Sequence, residues 1–214
     1  MKRALLIGIE YTSTPYYTPG CFQDVHTIKS MLMKQEYTEN NITVLTDDSL
    51  YTPCKLNILH ELDRFTTLPS SEIFIYYAGQ RPLTREHAIV PCDFHEAGYI
   101  DPETVSTYLH RMKSKTIFLT DSNNVEPLCI LPYTFMYTGY ELIASVVEFK
   151  LTNSALYTIH GTRSQGTTRI FLDSMSSTIL STYISMCKKM TVPPILCTSS
   201  PIVRNMYNKS IIPV

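Results

Sequence analysis

The feature that most constrains the fold is an alternation between short apolar runs and longer segments of helical period. The apolar runs are rich in β-branched and aromatic residues, which is typical of buried strands. The segments between them repeat apolar residues at near-helical spacing, as in Ile179, Tyr183 and Met186. This pattern predicts βαβ units, with helices on both faces of a mostly parallel sheet.

The individual elements follow from the same pattern. Strands are predicted at Arg3 to Ile9, Ile42 to Thr46, Glu72 to Ala78, Lys115 to Thr120, Leu156 to His160 and Ile195 to Thr198. Helices are predicted at Asp24 to Gln35, Cys54 to Thr67, Pro102 to Lys113 and Ile170 to Lys189. Asp24 and Asp101 stand at N-cap positions. The stretch from Asn123 to Leu151 receives no assignment, because prolines and a glycine interrupt its apolar pieces.

The composition indicates one domain, residues 1–214. The chain has 214 residues, of which 44% are hydrophobic, and this is enough for one sizeable core. The formal charge is -1 and no run of like charge occurs, so neither nucleic acid nor a membrane is expected as a partner.

The cysteines indicate a reducing compartment. All six are widely scattered and form no CxxC pair, which argues against a zinc site and against a disulfide framework. The basic opening of the chain is not expected to be a signal peptide, because Glu10 interrupts its apolar run. No other apolar stretch approaches the ~18 residues of a membrane span. A soluble, cytoplasmic protein is therefore expected.

Two strand ends are the candidate functional positions. In an open α/β sheet, ligands bind in the crevice beyond the carboxyl ends of the strands. The relevant segments are Tyr77 to Arg81 and Thr120 to Asn124.

Seven short motifs, taken in order, resemble the opening of a metacaspase domain. They are Ala4 to Ile9, Gly20 to Val25, Ile42 to Asp48, Pro53 to Ile58, Ile73 to Gly79, Ile89 to Asp93 and Lys115 to Ser122. Their order is a stronger signal than any one of them. The resemblance implies a caspase-like fold, with a mostly parallel central sheet of about six strands flanked by helices.

The resemblance also implies a catalytic histidine after the first strand end and a catalytic cysteine after the second. These positions fall on Gln80 and Asn123. A carboxamide supplies neither a thiolate nor an imidazole. The sequence therefore predicts an inactive pseudoenzyme that has no catalytic residues and is not an enzyme.

Two further sites implied by the resemblance are altered. The family has an acidic pocket for Arg or Lys, and here Arg163 and Ser164 stand where its acid is expected, so that Arg163 would oppose a basic side chain. The family also has a calcium site, of which only Asp93 and Asp101 remain. No histidine has the spacing of a metal ligand. No metal and no cofactor are expected.

The function predicted from these observations is a protein-binding, scaffold or structural module, with a partner of unknown identity. The module is either part of a large assembly such as a virus particle or a regulator of an active metacaspase. The alternatives are a ligand or peptide sensor in the cleft and an active hydrolase with a relocated nucleophile. Cys92, Cys129 and Ser122 are the candidates for that nucleophile. The first two lie in apolar stretches, and Ser122 should point away from the face of Asn123.

Overall fold

The computed structural model describes residues 1–82, 88–123, 133–137, 142–146, 156–163, 166–176, 179–192 and 194–199. In these residues the strands are β1 (Lys2–Gly8), β2 (Ile42–Thr46), β3 (Glu72–Gly79), β4 (Lys115–Ser122), β5 (Tyr133–Tyr137), β6 (Leu142–Val146), β7 (Leu156–Thr162) and β8 (Ile195–Thr198). The helices are α1 (Cys21–Lys34), α2 (Lys55–Thr67), α3 (Phe94–Ala97), α4 (Pro102–Arg111), α5 (Thr167–Leu172) and α6 (Ile179–Lys189), with a short 3-10 helix at Glu39–Asn41.

The described strands form one eight-stranded sheet in the order β2-β1-β3-β4-β7-β8-β5-β6. From β2 to β7 all neighbours are parallel. The strand β8 is antiparallel to β7, and β5 is antiparallel to both β8 and β6. The mostly parallel sheet predicted from the sequence is confirmed, and its parallel part brings several strand ends to one edge.

The sheet carries an apolar core on each face, because successive residues of a buried strand point to opposite sides. Leu6 and Tyr76 belong to the core that contains residues of α1, α5 and α6. Leu5 and Tyr77 belong to the core that contains residues of α2 and α4. All four side chains are buried, so β1 and β3 are central strands covered on both sides.

The predicted strands all occur, but several other elements differ from the prediction. The helix predicted from Ile170 to Lys189 is two helices, α5 and α6, separated by residues that include Ser174 and Ser176. Hydroxyl side chains compete with helical hydrogen bonds, and here the Thr182 hydroxyl accepts a hydrogen bond from the Ser176 N–H. The strands β5 and β6 lie in the stretch that received no assignment, and α3 was not predicted.

The two predicted N-caps have different outcomes. Asp101 caps α4, because its Oδ1 accepts a hydrogen bond from the Thr104 N–H at 2.7 Å. Asp24 is not a cap. The helix α1 begins earlier, after Gly20 in the left-handed region, and Asp24 lies in its first turn. The backbone N–H groups of Gly20 and Phe22 are satisfied by Glu10, so the sequence offered no local acceptor to mark this start.

None of the helices in the described residues is both long and apolar enough to cross a membrane. The cysteines within the described ranges are free.

Candidate functional site at the ends of β3 and β4

The ends of two adjacent parallel strands bring Gln80 and Asn123 together. Gly79, the last residue of β3, pairs with Ser122, the last residue of β4. Gln80 and Asn123 are therefore the next residues at the same edge of the sheet. Both line a cavity of about 240 Å³. The other described lining residues are Tyr11, Tyr16, Arg81, Pro82, Val90, Phe94 and Tyr99.

The carboxamide of Asn123 is held by the backbone of Arg81. Its Oδ1 accepts a hydrogen bond from the Arg81 N–H at 2.7 Å, and its Nδ2 donates one to the Arg81 carbonyl at 3.0 Å. The orientation of the amide is fixed, since one end meets a donor and the other an acceptor. Arg81 itself is only 2% exposed and, like Asn123, lines the cavity.

Gln80 is held by two tyrosine hydroxyls. Its backbone N–H donates to the Tyr11 hydroxyl at 2.9 Å, and its carbonyl accepts from the Tyr77 hydroxyl. The side-chain Nε2 donates to the Thr18 hydroxyl. Burial raises the pKa of both Tyr11 and Tyr77, so their hydroxyls stay protonated as hydrogen-bond donors. Among the described residues none donates to Gln80 Oε1, which leaves an acceptor for a ligand.

Four aromatic rings form most of the apolar part of the lining. Phe94 is central to them: it stacks on Tyr99 with the ring centroids 5.9 Å apart, and it meets Tyr16 edge to face at 5.5 Å. Tyr11 also meets Phe94 edge to face, at 6.4 Å. These are favourable geometries for aromatic pairs, so the wall is a preorganised apolar surface. The term aromatic wall is used below for Tyr11, Tyr16, Phe94 and Tyr99.

A cluster of charges lies at the neighbouring strand ends. Arg163, which follows β7, forms an ion pair with Asp24 of α1, with Nη1 and Oδ2 2.8 Å apart. Asp121, at the end of β4, accepts hydrogen bonds from the N–H and the hydroxyl of Thr168. Burial raises the pKa of Asp24 and of Asp121, although Arg163 acts to lower both. Burial opposes the charge of Arg163, but Cys21 and the two aspartates raise its pKa above the ordinary value.

The sequence interpretation had missed these acids. It placed Arg163 in a pocket that had lost its acid, whereas the structure pairs Arg163 with Asp24 beside Asp121. The missed signal was the position of Asp121 near the end of β4 and of Asp24 in the first turn of α1, the helix that follows β1. Ser164, the second predicted pocket residue, lies outside the described residues.

Of the candidates for a relocated nucleophile, Cys92 and Ser122 are not among the described residues that line the cavity. Burial raises the pKa of the Cys92 thiol to about 11, which makes its thiolate scarce at neutral pH. Ser122 is fully buried within β4. Cys129 lies outside the described residues.

Asp93 and Asp101, the two acids that the resemblance connected with calcium, both contact helix N-termini. Asp93 Oδ1 accepts a hydrogen bond from the Lys55 N–H at 2.8 Å, at the start of α2, and Asp101 caps α4. Each carboxylate is thus engaged at a helix N-terminus, and Pro102 offers no side-chain oxygen. No group of three or more His, Cys, Asp or Glu side chains that could hold a metal ion occurs among the residues described.

Comparison with known proteins identifies the domain. Residues 2–122 match the family model described as metacaspase, peptidase C14 domain. Metacaspase-1 of Eremothecium gossypii and metacaspase-1B of Aspergillus clavatus are each 28% identical over 157 residues, which are 64% of this chain and 35% and 38% of theirs. The chain therefore matches little more than a third of the length of these relatives. Metacaspase-1 of Candida albicans is also 28% identical, over 165 residues.

Solved structures confirm the caspase-like fold. Caspase-1 from Spodoptera frugiperda superposes with a TM-score of 0.61 at 9% identity, covering 93% of this chain and 86% of that one. The structure of pro-sf-caspase-1 gives a TM-score of 0.54 at 8% identity, covering 93% and 90%. At such low identity these similarities show the fold alone.

The prediction that the chain is not an enzyme is wrong. The matched domain is a peptidase domain, and the relatives are named metacaspases, so the comparison points to a family of cysteine peptidases. The prediction rested on the two dyad positions, Gln80 and Asn123, and on the altered pocket at Arg163 and Ser164, whereas the family match extends over residues 2–122.

Proposed function

We propose that this chain, which belongs to the metacaspase family of C14 peptidases, binds a peptide segment of a partner protein in the crevice beyond β3 and β4. The observation that carries the proposal is a cavity lined both by the aromatic wall and by a polar edge formed by Gln80, Arg81 and Asn123. An apolar side chain of a peptide fits the wall, and its adjoining peptide groups fit the polar edge.

The volume of the cavity indicates that it holds only part of a peptide. Its volume of about 240 Å³ lies below the roughly 300–1,000 Å³ of pockets that enclose drug-sized ligands. One or two side chains of an extended segment fill such a space. The remaining affinity then comes from contacts along the rim.

The polar edge suits a peptide backbone. A carboxamide both donates and accepts hydrogen bonds and does not titrate near neutral pH. Gln80 Oε1 is available to accept from a peptide N–H, while the two hydrogen bonds between Asn123 and Arg81 hold the Asn123 carboxamide in place. Rigid elements lose little entropy on binding.

The role that follows is that of a protein-binding or scaffold module. Two partner classes fit this role, namely an active metacaspase and a component of a large assembly such as a virus particle. Peptides from both classes can be compared directly in one assay.

The test is a selection of peptides from a random library against the purified chain, followed by affinity measurements on the variant Tyr16→Ala. Tyr16 is 50% exposed, so its truncation should leave the fold intact. We expect selected peptides to lose roughly tenfold or more in affinity, as for an aromatic residue central to an interface. Tyr17→Ala is the matched control, because Tyr17 is 55% exposed and does not line the cavity.

Equal losses in both variants would place the peptide elsewhere on the surface. If no peptide from the library binds the unmodified chain, the proposal is wrong. Once a peptide is known, its sequence decides between the two partner classes.

A further inference from the structure

Two cysteines meet at the start of α2. Cys54 is the residue before this helix, and Cys92 lies shortly before α3. The Cys92 N–H donates a hydrogen bond to the carbonyl of Pro53 at 3.1 Å. Covalent geometry keeps each Cα close to its end of this bond, so the Cα atoms of Cys54 and Cys92 are no more than roughly 7 Å apart. Disulfides usually join Cα atoms about 4.4–6.8 Å apart, so these two positions suit a disulfide.

Further hydrogen bonds fix the backbone around the two cysteines. The Lys55 N–H donates to Asp93 Oδ1 at 2.8 Å, and Lys55 Nζ donates to the Ala97 carbonyl at 2.9 Å. Lys55 follows Cys54 and Asp93 follows Cys92, so these bonds join the residues next to each cysteine. The start of α2 and the α3 segment are therefore held together without a covalent link. Such positioning raises the effective concentration of one thiol at the other.

The pair is also accessible to a small oxidant. Cys54 and Cys92 are partly exposed, whereas the other cysteines that the structure describes are buried, namely Cys21, Cys187 and Cys197. Burial, and after it the charges of Asp93 and Cys54, raise the pKa of the Cys92 thiol to about 11. The influence of Cys54 on this pKa is a second sign that the two thiols lie close together. Because the Cys92 thiolate is scarce, Cys54 is the thiol that reacts first with an oxidant.

We propose that Cys54 and Cys92 are a redox pair that forms a reversible disulfide on exposure to a peroxide. The Cys54 thiolate attacks a peroxide oxygen, so that an S–O bond forms, the O–O bond breaks and hydroxide leaves. The Cys92 sulfur then attacks the sulfenic acid of Cys54. An S–S bond forms, the S–O bond breaks, and the oxygen leaves as water with the Cys92 proton. The two sulfurs are oxidised and the peroxide is reduced, and a dithiol reverses the reaction.

The disulfide acts on the aromatic wall through α3. Phe94 is the second residue after Cys92, and its ring contacts the three other rings of the wall. In the reduced chain only hydrogen bonds and packing tie this segment to α2. Oxidation adds a covalent tie, which should suppress local opening of the segment. The proposal does not depend on peptide binding at the wall.

The test is a peptide map of the full chain after treatment with one equivalent of hydrogen peroxide and alkylation of the remaining thiols. Trypsin separates the two cysteines into residues 35–55 and residues 86–111, each of which contains one cysteine. We expect these peptides to be joined, and to separate on reduction with dithiothreitol. The joined pair should be at least roughly tenfold more abundant from the folded chain than from the chain unfolded in urea, because only the fold holds the thiols together.

Cys54→Ser and Cys92→Ser should each lose the link. Cys187→Ser, which changes a cysteine of α6, is the control and should keep it. The comparison of folded and unfolded chain uses the unmodified protein, so it stands even where a variant fails to fold. Equal abundance of the joined pair in the two states, a preferred link to another cysteine, or oxidation of Cys54 without a link would reject the redox pair.

Hydrogen exchange measures the effect on the wall. Amides of residues 94–99 should exchange at least roughly threefold more slowly in the oxidised chain than in the reduced chain, and peroxide should not slow them in Cys92→Ser. Unchanged exchange in a chain that carries the link would contradict the tie between the disulfide and the wall. No peptide ligand is used, so failure of the redox pair and failure of peptide binding are separate results.

Discussion

Asn123 extends the pairing of β3 with β4 beyond the last backbone partner. The ladder between the strands ends at Gly79 and Ser122, and the next contact is made by a side chain. The Asn123 carboxamide offers an acceptor and a donor to the Arg81 backbone, as a peptide group of a neighbouring strand would. Its first role is therefore to hold the end of β3 in place.

Replacing Asn123 with Ala should destabilise the fold. Two hydrogen bonds to the Arg81 backbone are lost, and we expect a decrease of about 1–2 kcal/mol in the free energy of unfolding, measured in urea. Asn40→Ala is the control, because Asn40 is exposed and should change stability by less than ~0.5 kcal/mol. Equal stability of the two variants would show that the Asn123 contact contributes nothing net.

Two helices have an N-terminal backbone N–H that donates to an acidic side chain. The family resemblance had connected both of these acids with calcium. Asp101 accepts from Thr104 within α4, and Asp93 accepts from Lys55 at the start of α2. An acid at a helix N-terminus satisfies an unpaired N–H and interacts favourably with the helix dipole. This role explains both residues without a metal.

Replacing Asp101 with Ala should cost about 1 kcal/mol of stability at neutral pH, as for other N-caps. The hydrogen bond from Thr104 lowers the pKa of Asp101 in the folded state. A carboxyl with a lowered pKa stabilises the fold above its unfolded pKa, about 3.9, and loses this contribution as the pH falls through its folded pKa.

The difference between the unmodified chain and Asp101→Ala should therefore be constant from neutral pH down to about pH 5 and shrink in more acidic solution. Urea unfolding at a series of pH values measures it. Asp48→Ala is the control, since Asp48 is exposed and caps no helix. A difference that grows as the pH falls would contradict this account of the cap.

The family-matched segment does not contain a complete core. Residues 2–122 end with β4, whose second neighbour in the sheet is β7. The core beneath α1 also includes Phe171, Tyr183 and Met186 from α5 and α6. We therefore propose that the sheet and the helices on both its faces fold as one domain.

A fragment of residues 1–122 should not fold by itself. It would expose the edge of β4 and the apolar face beneath α1, both of which promote aggregation. We expect poor amide dispersion in its NMR spectrum. Addition of the fragment 123–214 should restore a dispersed spectrum. A stable, monomeric 1–122 fragment would refute the single-domain proposal.

The sequence by itself determined the order and type of the principal elements. Buried strands are local apolar runs, so Ile42–Thr46 and Ile195–Thr198 were predicted with the bounds that the structure has. The meeting of Gln80 and Asn123 also followed from the sequence, because adjacent parallel strands end at the same edge.

Only the tertiary structure decided how the site is built. The aromatic wall joins Tyr11 and Tyr16 of the loop before α1 with Phe94 of α3 and with Tyr99, which follows that helix, and no local periodicity connects them. Arg163 and Asp24 are far apart in sequence, so their ion pair could not be predicted from local patterns. Local patterns reveal which residues are buried. Which distant side chains share a cavity depends on how the loops pack once the sheet has formed.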